Sequence, residues 1–223
     1  MKNPALASKI SKVELENHLK GEAVLTERLR NESNLVIVDA VDEYMELATK
    51  LKFAYKWIVE NTDAEFVLKA DDDMYVRVDT FGEYLQEKYG LAKRTNSLQL
   101  NSTQHLYMGW IKRLNVGQRI PDYLRPRQYN ESRTYPSFAV GSYGHVVSRP
   151  IAEYVGENAE KLFDYLGEDT SLGIWLKESY FKHSVKHLDG TNVMTNKADC
   201  QNKRFMVIGH RLRQAFNSLS FEN

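Results

Sequence analysis

The chain has 223 residues, with 30 Lys and Arg against 30 Asp and Glu, so its formal net charge is zero. Apolar content of 42% and charged content of 27% are those of an ordinary globular protein, long enough for one large domain or two small ones. The charge balance gives no bulk attraction to nucleic acid or anionic membrane, and the single cysteine, Cys200, excludes an internal disulfide and a cysteine-built zinc cluster.

In chain order, Val13, Leu15, Leu19, Val24, Leu25 and Leu29 lie among many charges and predict an amphipathic helix over 12–30, broken at Gly21. The N-terminal stretch MKNPALASKISKVELENHLK lacks the apolar core of a signal peptide, and no apolar run approaches the ~20 residues of a membrane span. The reading is of a soluble chain, or of a fragment whose anchor lies elsewhere. Leu35–Val38 predict a short buried strand closed by Asp39. Leu47, Leu51, Ala54, Tyr55 and Ile58 recur at helical spacing within 43–60. Phe66–Ala70 predict a second buried strand and 79–88 a helix. Strand, helix, strand, helix with continuously apolar strands points to a parallel sheet in an α/β layer fold.

Beyond residue 90 the pattern loosens. Leu106–Ile111 predict a strand, and 115–136, with three of the five prolines, a long loop with short strands. Val146-Val147 mark a strand end, Pro150 opens a helix to about Phe163, and 169–178 form another. Phe205–Ile208 predict a last strand before a C-terminal helix from His210. Asn31, Asn101 and Asn130 each head an N-glycosylation triplet, a pattern that chance often supplies.

Two acidic clusters carry the chemistry. Asp71-Asp72-Asp73 follow the second strand, at the sheet edge where open α/β folds bind ligands. If that stretch stays extended, Asp71 and Asp73 share a face, and two converging carboxylates call for a cation between them. All-oxygen donors of this kind suit Mg²⁺ or Mn²⁺ carrying a phosphorylated ligand. The plainer alternative is a solvated acidic turn, partly neutralised by Lys69. Glu168-Asp169 precede the apolar run TSLGIWL. Acids there are stabilised by the helix dipole, worth roughly 0.3–1 kcal/mol, and a carboxylate fixed at such a place also suits a general base.

With these clusters the sequence resembles the β-1,3-glycosyltransferases of the inverting GT-A type, the family of β-1,3-galactosyltransferases, β-1,3-N-acetylglucosaminyltransferases and Fringe. Four blocks carry the likeness, from about Leu35 to the C-terminus. Asp39, Asp42, Tyr44, Leu47 and Lys50 are similar to D-x-x-D-x-Y-x-N-L-x-x-K, with Glu46 for Asn. Phe66–Val76 are similar to the DxD block, Tyr135–Ser148 to Y-P-x-Y-x-x-G-x-G-Y-x-x-S, and Glu168–Leu176 to E-D-V-x-x-G-x-W-L.

The resemblance implies an α/β GT-A-like fold, a Rossmann-type mixed sheet flanked by helices. One domain would cover 1–223, with 35–223 the family-like catalytic region. It implies a UDP-sugar donor, galactose above all, a glycan or glycoprotein acceptor, and Mn²⁺ (or Mg²⁺). Asp73 matches the metal ligand at the diphosphate, and Asp71 the acid turned to the sugar-nucleotide. Asp169 matches the base that deprotonates the acceptor hydroxyl. Asp72, Glu168, Gly141 and Ser142 complete the implied donor site. His210 is implied as a second metal ligand, with His187 a rival. Trp110 and Trp175 are candidate faces for a sugar ring, although helical spacing favours the core for Trp175. A type II membrane protein of the Golgi lumen is the family's setting.

The pattern also departs from the family. The Arg-rich, Trp-containing first strand is not found, and residues 1–34 supply a charged helix, so this part reads as divergent or truncated. Gly141–His145 carry one extra residue, with His145 where Tyr is usual. Cys200 has no partner. Two other readings therefore stand beside the transferase. A non-catalytic glycan- or partner-binding module of the same fold would account for the lost strand. A metal-dependent phosphohydrolase would share paired aspartates after a strand, but needs later Lys and Asp motifs.

Overall fold

The computed structural model describes residues 23, 24, 27, 35–38, 40, 41, 43–89, 105–113, 128–132, 134–190, 194, 195, 207 and 208. The chain divides into two compact units, Met1–Val38 and Asp39–Asn223. In the first, Ala23, Val24 and Glu27 have helical backbone, within the helix expected over 12–30. Leu35–Val38 do not form the expected strand: they carry no ladder, and Val36 and Ile37 are exposed. An apolar β-branched run reports strand propensity, but a strand also needs a partner edge.

In the second unit a short 3₁₀ turn, Tyr44–Glu46, leads into α1 (Leu47–Asn61). There follow β1 (Phe66–Lys69), β2 (Tyr75–Val76), α2 (Val78–Tyr89), β3 (His105–Gly109) and β4 (Ile111–Lys112). Then come β5 (Phe138–Ala139), β6 (His145–Ser148), α3 (Arg149–Glu157), α4 (Glu168–Glu178), β7 (Val185–Asp189), β8 (Met194–Thr195) and β9 (Val207–Ile208). The main sheet has the order β1-β6-β3-β7. Strand β6 runs antiparallel to both β1 and β3, whereas β3 and β7 are parallel. Smaller sheets join β2-β9-β8 and β4-β5.

The sheet is thus mixed, as the family resemblance implies, and not parallel, as the apolar runs alone suggested. The physical reason lies in the register. Val67, Val147 and Tyr107 align across β1, β6 and β3 and enter one core, with Leu51 and Tyr55 of α1, Ile151 and Val155 of α3, and Leu172 and Trp175 of α4. Their neighbours Leu68, Val146 and Met108 align on the opposite face, against Phe81 and Leu85 of α2. Both faces are covered, so each strand is apolar throughout, and that continuity reports two-sided burial rather than strand direction.

Helices α1 and α3 pack side by side. Arg149 fastens the turn between α1 and the sheet: its guanidinium donates to the carbonyls of Val59, Thr62 and Ala64 and pairs with Glu153. A cation on the last carbonyls of a helix also complements its dipole. The C-terminal helix expected from His210, like Cys200, lies outside the described residues.

The two helices approach closely at Gly156, where an added Cβ would lie 2.8 Å from the Cα of Lys56. Gly156→Ala is expected to lower stability by about 1–3 kcal/mol through overpacking. Gly82, in α2, has nothing within 4 Å of an added Cβ. Gly82→Ala is expected to raise stability by about 0.5–1 kcal/mol, the helix-propensity gain. Urea unfolding of the two variants checks both, as opposite shifts of midpoint at constant slope.

Candidate functional site

Three segments converge at the C-terminal end of β1: the turn that follows it, the 3₁₀ turn Gly141–Tyr143 and the first turn of α4. The β1–β6 register sets Lys69 opposite His145, just beyond the 3₁₀ turn. Lys69 joins two of the three. Its ammonium pairs with Asp71, and its Nζ lies 3.1 Å from Glu168 Oε1. Burial pulls the Lys69 pKa down, but the Glu168 and Asp71 carboxylates outweigh it and hold the pKa above its ordinary value.

The triplet is not extended. Met74 N–H donates to Asp71 O at 3.1 Å, and Asp72-Asp73 form the turn between them. The expectation that Asp71 and Asp73 share a face because side chains alternate therefore fails: alternation needs extended backbone, and the chain reverses here. Asp71 is committed to Lys69, while Asp72 and Asp73 stand at the turn. Among the described residues no three His, Cys, Asp or Glu come together as a ready metal site. The donor chemistry still fits a hard divalent ion, which takes one or two carboxylates and fills its remaining positions with phosphate oxygens and water. His210 lies outside the described residues. His187 is in register with Tyr107, Val147 and Val67 across β7, β3, β6 and β1, so three strand spacings, roughly 14 Å, separate it from β1. It does not join the triplet.

Asp169 sits in the first turn of α4, held by backbone amides. Gly141 N–H donates to its Oδ2 at 3.0 Å and Thr170 N–H to its Oδ1 at 2.7 Å. Burial raises its pKa, the Gly141 amide opposes that, and the neighbouring Glu168 charge adds to the rise; the net direction is upward. The carboxylate is thus fixed in position and more basic than a solvated one. Two glycines make this arrangement possible. A Cβ on Gly141 would lie 2.8 Å from Glu168 Oε1, and Gly167, with φ of +83°, turns the chain into α4 in a region that favours glycine.

The remaining candidates separate cleanly. Ser142 lies in the 3₁₀ turn beside Gly141. Trp175 is a core residue whose indole N–H donates to Phe163 O at 2.8 Å. Trp110 interrupts β3 and β4, its ring 4.0 Å from that of Tyr143 and 5.1 Å from Lys112 Nζ. His145 is fully buried, with Nε2 2.7 Å from the Tyr55 hydroxyl, and burial brings its pKa down to about 3, so the ring is neutral. Tyr135, which the sequence reading names only as the first residue of a family block, has its hydroxyl pKa raised by burial and by the charge of Asp169.

A family model for galactosyltransferases matches residues 15–188. The UDP-GalNAc:beta-1,3-N-acetylgalactosaminyltransferase 2 of Danio rerio is 37% identical over 164 residues, 72% of this chain and 30% of its own length. Its counterpart in Xenopus laevis is 32% identical over 167 residues, 73% of this chain and 31% of its own. The probable beta-1,3-galactosyltransferase 4 of Arabidopsis thaliana is 29% identical over 168 residues, 74% of this chain and 37% of its own. The chain thus spans about a third of the length of these curated relatives.

The raised Asp169 pKa has a thermodynamic consequence. Between the ordinary value of 3.8 and its folded value, the folded state holds this proton more tightly than the unfolded state does. The stabilisation from that proton is present below 3.8 and is lost as pH rises through the folded pKa. Stability of the wild type relative to Asp169→Asn, measured by urea unfolding from pH 3 upward, is therefore expected to fall with rising pH. A relative stability that rises with pH would contradict the burial-dominated assignment.

Proposed function

The chain belongs to the galactosyltransferase family, and from that premise we propose that it is a metal-dependent, inverting β-1,3-glycosyltransferase with Asp169 as its general base. The observation that carries the reading is the Asp169 carboxylate itself: half-buried, held by Gly141 and Thr170 amides, raised in pKa, and next to Glu168, which Lys69 links to the triplet. The donor is a UDP-sugar of galacto configuration. Galactose is the donor expected from the sequence, and N-acetylgalactosamine is a second candidate because two relatives are named as beta-1,3-N-acetylgalactosaminyltransferases. The acceptor is a glycan hydroxyl, in the Golgi setting of the family.

In this mechanism the acceptor hydroxyl gives its proton to Asp169. Its oxygen bonds to the anomeric carbon, and the bond from that carbon to the UDP oxygen breaks with its electron pair going to UDP. One displacement turns an α-linked donor into a β product, and one well-placed base suffices. Asp73 and Asp72, with His210 as a further candidate, would hold Mn²⁺ or Mg²⁺, which when bound offsets the charge of the diphosphate leaving group. Lys69 neutralises Asp71 and steadies Glu168, so the site receives the nucleotide without collapsing the acidic turn. Gly141 lets the 3₁₀ turn approach both acids of α4 closely.

Calorimetric titration with UDP, with and without Mn²⁺, and a transfer assay over a UDP-sugar panel test this. Asp73→Asn is expected to abolish metal-dependent UDP binding. Asp169→Asn is expected to keep UDP binding and lose about 10²–10⁴-fold in transfer, the usual worth of a general base. The acid limb of the wild-type kcat/KM profile is expected above the ordinary carboxylate value of 3.8. Folded protein that binds no UDP with Mn²⁺ present defeats the reading in favour of a non-catalytic module.

A further inference from the structure

A cavity of about 380 Å³ lies along α4, beyond Asp169, and its lining is one-sided in charge. Arg113, Lys177 and Lys182 supply its charges beside His183 and His187, and no Asp or Glu lines it; burial and the nearby Arg113 lower the His187 pKa, so that ring is not one of the cations. Lys177 is partly satisfied, its Nζ 3.2 Å from Glu131 Oε2. Among the described residues, the side chains of Arg113, Lys182 and His183 have no ion-pair partner, although the whole chain is neutral. Cations gathered around a concave surface without acids repel one another and favour an anion between them.

The cavity also adjoins the proposed base. Gly173 and Lys177 line it, four and eight residues past Asp169 on the same helix, so it begins about 6 Å along the axis and extends to about 12 Å. Tyr135, another lining residue, feels the Asp169 charge. Ser137 lines it too, one residue before β5, which leads to the Gly141 turn. The proposed diphosphate site is elsewhere, beyond β1, whereas Val185 and His187 of this cavity belong to β7 at the opposite edge of the sheet.

We propose that this cavity is a subsite for a negatively charged substituent, a phosphate or sulfate ester or a carboxylate, carried on the acceptor saccharide. That the anion belongs to the acceptor rests on the reading of Asp169 as base; that the cavity takes an anion does not. The charged group would anchor the saccharide by charge-assisted hydrogen bonds to Arg113 and Lys182, leaving a ring hydroxyl at Asp169.

The test is titration of the full chain, at fixed ionic strength, with N-acetylglucosamine, its 6-phosphate and 6-sulfate, and inorganic phosphate and sulfate. UDP with Mn²⁺ is titrated in parallel. At least one charged sugar is expected to bind about tenfold or more tighter than the neutral one, as charge-assisted bonds provide. The double variant Arg113→Gln/Lys182→Gln is expected to erase that preference while keeping the melting temperature, since both side chains are exposed. Equal binding of charged and neutral sugars, or a preference that survives in the variant, overturns the subsite. Inorganic anions that bind as tightly as the charged sugars overturn its link to an acceptor. Loss of UDP binding alone, with the sugar preference intact, defeats the glycosyltransferase reading and leaves the anion cavity standing.

Discussion

Two adjacent carboxylates, Glu168 and Asp169, are buried or nearly so in the first turn of one helix, and much of the site is arranged around their charge. Ionised groups taken out of water cost several kcal/mol each unless they are paired and hydrogen-bonded. Here the compensation comes from three directions. The helix dipole favours negative charge at this end. Lys69 reaches Glu168 from the end of β1, and the amides of Gly141 and Thr170 serve Asp169. The compensation is unequal, and that inequality is informative. Glu168 receives the ammonium, while Asp169 receives amides, and burial outweighs them and keeps its pKa raised. Under the proposed function, the amide-held acid is the base and its lysine-paired neighbour a structural acid.

That arrangement requires the mixed sheet. Lys69 can reach α4 because β1 is paired antiparallel to β6, which sets it opposite His145 immediately after the Gly141–Tyr143 turn. His145 is then forced into the interior, and its pairing with Tyr55 and its depressed pKa keep a neutral ring beside a charged lysine. A second positive charge at that point would compete with Lys69 for the same acids. The residue at which the sequence departs from the family pattern therefore has a structural role behind the site.

The sequence was most legible where one residue type has few physical uses. An acidic run after a buried strand and an acid pair at a helix start drew attention to the segments that the fold brings together through Lys69, and the helices near 43–60 and 169–178 were visible from the sequence. Strand direction was not legible, because residues 66–69 and 145–148 are covered on both faces and read alike in either direction. Leu35–Val38 misled because propensity does not supply a partner. Strand β7 was missed: only Val185 and Leu188 are half-buried, in a run too short and too polar to stand out. The cavity was invisible for a related reason. Arg113 and Lys182 are distant in sequence, and only the fold gathers them.

The geometry also alters the meaning of three acids in a row. As an extended strip they would set two carboxylates against each other. As a turn after β1 they are set apart, because Asp71 pairs with Lys69 within the fold and Asp72 and Asp73 form the turn itself. Two hard oxygen donors make a poor cage for a free divalent ion, which otherwise keeps most of its water. They make a sufficient one for an ion that arrives already held by a diphosphate. Under the proposed function, the low intrinsic affinity is what couples metal to nucleotide: neither is retained well alone, so the acidic turn is filled only when the donor is in place. Lys69 then links that event to α4, because the same ammonium touches an acid of the triplet and the residue next to the base.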